Sequence, residues 1–77
     1  MTLRWRRKPQ QGRYYGPAAH ELRDGQKVLV TAQQQRDDSW FIYGLGINTA
    51  GQPVATLDLA KAQGDAVARE KYRAGAP

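Results

Sequence analysis

The run Ser39 to Ile47, Ser-Trp-Phe-Ile-Tyr-Gly-Leu-Gly-Ile, constrains the fold more than any other stretch of the chain. Large apolar or aromatic residues stand at consecutive positions, so a strand built from it leaves neither face wholly to water. It is expected to be the central strand of a small sheet, with the rest of the chain as its cover. A chain of 77 residues supplies one domain and one core, burying about 60% of its unfolded surface.

Alternation and turn chemistry place the other strands. In Thr2 to Lys8, Leu3 and Trp5 fall on one face and Arg4, Arg6 and Lys8 on the other, because successive side chains of a strand point opposite ways. Pro9 to Gly12 reads as a turn, Arg13 to Tyr15 as renewed extended structure, and Gly16-Pro17 as its stop. Asp24-Gly25 predicts a two-residue hairpin turn with positive φ at both positions. It would pair Ala19 to Leu22 with Lys27 to Ala32, setting Val28, Val30 and Ala32 on one face and Leu29, Thr31 and Gln33 on the other. Further reversals are expected at Arg36 to Ser39 and Asn48 to Gly51. Pro53 to Ala55 is limited to a short edge piece, since Pro removes a donor.

Thr56 is a good N-cap for a helix over Leu57 to about Arg73. Leu57, Ala60, Gly64, Val67, Ala68 and Tyr72 form one stripe of a 3.6-residue period. Asp58 in the first turn and Lys71 and Arg73 in the last suit the helix dipole, and Gly75 can act as the stop. A stripe of Ala and Gly would let the helix approach large sheet residues such as Trp40 and Ile42. Its outward face, Lys61, Asp65, Arg69 and Glu70, is nearly neutral and makes a poor major-groove reader. The expected fold is α+β: an antiparallel sheet of four to five short strands with one C-terminal helix packed on it, in a single domain over 1–77.

The formal charge of +5 is informative once located. Arg4, Arg6, Arg7, Lys8 and Arg13 lie in the first 13 residues with no acid among them, while the remainder holds seven basic and seven acidic residues. A neutral body with a basic N-terminal segment, 1–13, as edge strand or arm, implies an anionic partner. As a strand, Arg4, Arg6 and Lys8 would be spaced about 6 to 7 Å apart, comparable with phosphates along one nucleic-acid strand. Such a charged strand also protects a sheet edge from aggregation. Trp5, Tyr14 and Tyr15 are candidate stacking residues for unpaired bases, although tyrosines are also ordinary strand residues.

No chemistry-bearing constellation accompanies these residues. His20 is the single histidine, and its neighbour Glu21 would face the other way on a strand, so no metal site is expected. Asp37 and Asp38 read as turn aspartates that bond their own backbone. Gly44 and Gly46 lack the third glycine and Lys-Ser/Thr of a phosphate loop and read as a bend or a close approach. Without a cysteine, disulfides and thiolate sites are excluded and a reducing cytosol is the expected setting. No apolar run approaches the roughly 18 residues of a membrane span, and no apolar region follows Arg6-Arg7 as an export signal requires. The chain is therefore expected to be soluble and unprocessed, to take no cofactor, to engage no membrane and to have no enzyme activity.

The order Trp5, Gly12-Arg13-Tyr14, Asp24-Gly25, Trp40-Phe41-Ile42-Tyr43 and Thr56-Leu57-Asp58-Leu59-Ala60-Lys61 resembles many small phage- and prophage-encoded proteins, in which a Trp- and Tyr-marked meander ends in such a helix. The resemblance implies a mobile-element origin, a bacterial host and an accessory binding role. A weaker likeness is to the sheet-plus-helix DNA-binding domains of certain plant transcription factors and some integrases, whose three-stranded sheet enters the major groove. Here the cations cluster in the first strand instead of across three.

Two functions follow from these expectations. One is a non-catalytic nucleic-acid-binding module with Arg4, Arg6, Lys8 and Arg13 on phosphates, Trp5, Tyr14 or Tyr15 stacking, and Arg7 contributing if the segment is an arm. Neutralising about four duplex phosphates gives a log-log salt slope near −3.6. The other is a protein-interaction module, a regulator or inhibitor that docks on an acidic or nucleic-acid-binding host protein. An exposed edge and few large helix residues leave room for a homodimer.

Overall fold

The structure, a computed structural model, describes residues 3–8 and 18–72. Five strands form one antiparallel sheet in sequence order: β1 (Leu3–Arg7), β2 (Ala19–Asp24), β3 (Lys27–Gln34), β4 (Trp40–Gly44) and β5 (Ile47–Asn48). One helix, α1 (Leu57–Lys71), follows and packs over β3 and β4. This is the expected α+β fold.

The central strand, however, is β3, and the run 39–47 does not form one strand. It folds into a hairpin in which Gly44 pairs with Ile47 across Leu45 and Gly46. Both turn residues have positive φ, 50° and 82°, the pattern of a type I′ turn whose twist suits flanking strands. Gly44 has a φ of 134° and lies so close to β3 that a Cβ there would overlap the Leu29 carbonyl. The two glycines are thus the bend and the close approach, and they end the strand that the aromatic run alone would extend.

The β2–β3 turn is also displaced from the expected form. Asp24 pairs with Lys27, so Gly25 and Gln26 are the turn residues and only Gly25 has positive φ, as in a type II′ turn. Asp24 is left free to accept a 2.6 Å hydrogen bond from the Tyr72 hydroxyl at the helix end. Lys27 Nζ stands 5.2 Å from the centre of the same ring. A bulge then shifts the register, with Leu22 opposite Val30 but Arg23 opposite Val28. Leu29 is consequently buried and Val28 exposed, the reverse of strict alternation, because a bulge sets two residues against one.

The outer edge of β4 is closed by β5, by Val54, which exchanges two 2.8 Å backbone bonds with Trp40, and by Thr49, whose hydroxyl accepts from Ile42 N–H. Val54 is the short edge piece that Pro53 permits. Helix α1 starts at Thr56, whose hydroxyl accepts from Leu59 N–H at 3.2 Å, and reaches its cap at Tyr72. Arg73 and Gly75, expected at its end, lie outside the described residues. Ala60, Gly64 and Ala68 are its buried face and close the core with Leu22, Leu29, Val30, Ala32, Trp40 and Ile42. The close approach at Gly64 is to Trp5 and Val30, so β1 is the strand that makes Gly64 necessary, not β4.

Candidate functional site

Because α1 covers one face of the sheet, alternation decides which side chains remain on the other. Trp5, Leu22, Val30 and Ile42 belong to the core side. The open face therefore carries Arg4 and Arg6 from β1, Glu21 and Arg23 from β2, Thr31 and Gln33 from β3, and Phe41 and Tyr43 from β4. The register sorts them into cross-strand rows. Arg4 faces Arg23 and then Val28; Arg6 faces Glu21, Thr31 and Tyr43 in turn; Ala19, Gln33 and Phe41 form the next row.

Arg4, Arg6, Arg23 and Gly25 line an open depression at the β1–β2 end of this face. Directly opposed like charges destabilise an antiparallel pair, and here the conflict is moderated by Glu21, whose carboxylate accepts from Arg23 Nη2 at 3.0 Å. The Arg23 Nε–H is buried without a hydrogen-bond acceptor among the described residues, so the hydrogen-bonding capacity of this guanidinium is only partly used. Three guanidinium groups and one carboxylate leave a net positive patch suited to an anion with several acceptor oxygens.

At the other end of the face, the Phe41 and Tyr43 rings lie with centroids 5.9 Å apart and planes inclined at 32°. Tyr43 is 39% exposed. Between the two ends lie Glu21, Thr31, Ala19 and Gln33, of which Thr31 is buried.

The residues expected to bind divide three ways. Arg4 and Arg6 share the open face, and Lys8, also exposed, follows β1 with its N–H on the Ala19 carbonyl at 2.8 Å. Trp5 and Arg7 belong to the opposite face. Trp5 is not a free stacking surface: its ring packs on Gly64 and its Nε1–H donates to Asp65 Oδ1 at 3.0 Å. Arg7 stands across from His20. Arg13, Tyr14 and Tyr15 lie outside the described residues.

Arg23, Phe41 and Tyr43 were not evident as site residues in the sequence. The available signal was the period-two alternation of Trp40-Phe41-Ile42-Tyr43, obscured because all four are large.

His20 sits on the helix side, its ring 5.9 Å from that of Trp40. Burial, with Lys61 and Arg7 nearby, holds its pKa below the usual value. Among the described residues no three His, Cys, Asp or Glu side chains gather closely enough to hold a metal ion. Asp37 accepts from the Ser39 hydroxyl and backbone N–H, which lowers its pKa and makes it a turn residue. No helix among the described residues is long and apolar enough to cross a membrane. Comparison of the chain with protein-family models, with curated proteins and with solved structures finds no match in any of the three.

Proposed function

We propose that the protein is a non-catalytic module that binds nucleic acid through the open face of its sheet. The observation that carries this reading is that Arg4, Arg6 and Arg23 line one depression, with Arg4 directly opposite Arg23 at a local electrostatic cost. Arginine is suited to the task because its planar fork matches phosphate oxygens bidentately. Lys8 extends the patch along the strand direction, as the spacing of phosphates favours.

Titration of fluorescently labelled oligonucleotides with the protein and with an Arg4→Gln/Arg6→Gln variant tests the reading. Loss of most of the affinity in the folded variant supports it, and undiminished affinity refutes it. A pulldown from nuclease-treated bacterial lysate separates nucleic acid from a protein partner: one stoichiometric protein retained through the arginines would favour the docking function instead.

A further inference from the structure

We infer that the open sheet face takes a single strand of nucleic acid, its phosphates at Arg4, Arg6 and Arg23 and an unpaired base laid on Tyr43. This rests on the nucleic-acid reading above and adds the strandedness of the ligand.

The inference comes from what shares the face with the cations. Phosphate recognition alone does not distinguish duplex from single strand, since both present the same anionic backbone. An exposed aromatic ring does. Bases in a duplex are stacked on one another and offer only their edges in the grooves, whereas an unpaired base offers its flat face. Tyr43 is 39% exposed on the side of the sheet that α1 leaves uncovered. The Phe41 ring lies beside it, its centroid 5.9 Å away and its plane inclined at 32°, which widens the aromatic surface. The core gains nothing from the exposed part of Tyr43, because Trp40 and Ile42 of the same strand already fill it.

The register links this platform to the cations. Arg6, Glu21, Thr31 and Tyr43 occupy one row across four strands, so cation and ring are separated by three strand spacings, about 14 Å. Thr31, next to Tyr43 in this row, is buried at 5% exposure, so a strand running from cation to ring passes above the side chains that cover it. The carboxylate in that strip is engaged by Arg23 at 3.0 Å, which reduces its repulsion of a passing phosphate. At about 6 to 7 Å per nucleotide, a chain crossing from Arg6 to Tyr43 spans about two to three nucleotides, fewer than the about 4 to 16 that whole single-strand-binding folds occupy.

The test uses the full chain with labelled oligo(dT) and oligo(rU) of about eight nucleotides and a duplex of the same length at the same salt. The single strands should bind about tenfold or more tighter than the duplex, either polymer sufficing. Tyr43→Ala should weaken that binding about 5- to 100-fold without changing its salt slope, and Tyr43→Phe should retain it. Thermal melts confirm that both variants fold. Equal affinity for duplex together with indifference to Tyr43→Ala overturns the single-strand inference. If Arg4→Gln/Arg6→Gln still weakens binding in that case, the broader nucleic-acid reading survives; failure of every oligonucleotide to bind overturns both.

Discussion

Arg4 stands directly across the β1–β2 ladder from Arg23, and both residues line the same depression on the face that the helix leaves open. Charges on the edge strand β1 guard that edge against further pairing, but that role does not require a cation opposite a cation. Cross-strand partners of opposite charge stabilise and like charges oppose one another, so the arrangement is a local departure from what folding favours. Departures of this kind concentrate where a protein binds something.

The same relationship predicts that binding and stability respond oppositely at this position. Arg4→Thr removes the repulsion and adds a good strand former, and should stabilise the fold by about 0.2 to 1 kcal/mol while weakening oligonucleotide affinity. Urea denaturation of the variant beside the parent measures the first effect. A clear loss of stability would mean that Arg4 serves the fold.

Glu21 lies between the cations and restrains Arg23 at 3.0 Å. Glu21→Gln should therefore strengthen oligonucleotide binding several-fold, by removing a negative charge and releasing a guanidinium. Fluorescence anisotropy at fixed salt reads the change. Weaker binding would assign Glu21 a positioning role that outweighs its charge.

Gly64 and Trp5 should show a reversal of sign. An alanine in mid-helix is favoured over glycine by about 1 kcal/mol, yet a Cβ at position 64 would come within 2.7 Å of the Trp5 ring. With overpacking at about 1 to 3 kcal/mol, Gly64→Ala should leave the fold no more stable, or less stable by up to about 2 kcal/mol. In a Trp5→Leu background the same change should stabilise. A double-mutant cycle in urea checks this, and additive effects would show that the ring and the glycine do not meet as described.

How much of this was legible in the sequence depends on which signals were local. The helix and the sheet pairings it covers follow from Thr56, the 57–72 stripe and Asp24-Gly25, each of which acts over a few residues. The site depends on which face each strand turns outward, and that is set by the partner across the sheet. In 40–44 every position is bulky, except for Gly44, so sequence gave no inner and outer side; only α1, resting on Trp40 and Ile42, makes Phe41 and Tyr43 the outer pair. Trp5 misleads for the same reason. An aromatic between arginines looks like a stacking residue until Gly64 is seen to form its seat. The bulge at Leu22/Arg23, which brings Val28 to the surface, has no marker in residue type at all.

The pH response should trace to His20. Its pKa is lowered in the folded state by burial and by Lys61 and Arg7, so the unfolded chain binds the proton more readily. Stability is then highest above the unfolded value of 6.5 and is lost as pH falls from there through the lower folded value. Urea midpoints measured across this window should fall with acidification, and His20→Gln should flatten that part of the curve. An unchanged slope in the variant would place the pH response elsewhere.

The central claim is that arginines on the open sheet face meet phosphates, and the salt dependence of oligonucleotide affinity tests it most directly. Three phosphate contacts on a single strand give a slope of log K against log salt of about −2, and removing two through Arg4→Gln/Arg6→Gln should reduce it to about −0.7. A slope near zero for the parent, or the same slope for parent and variant, would contradict the claim.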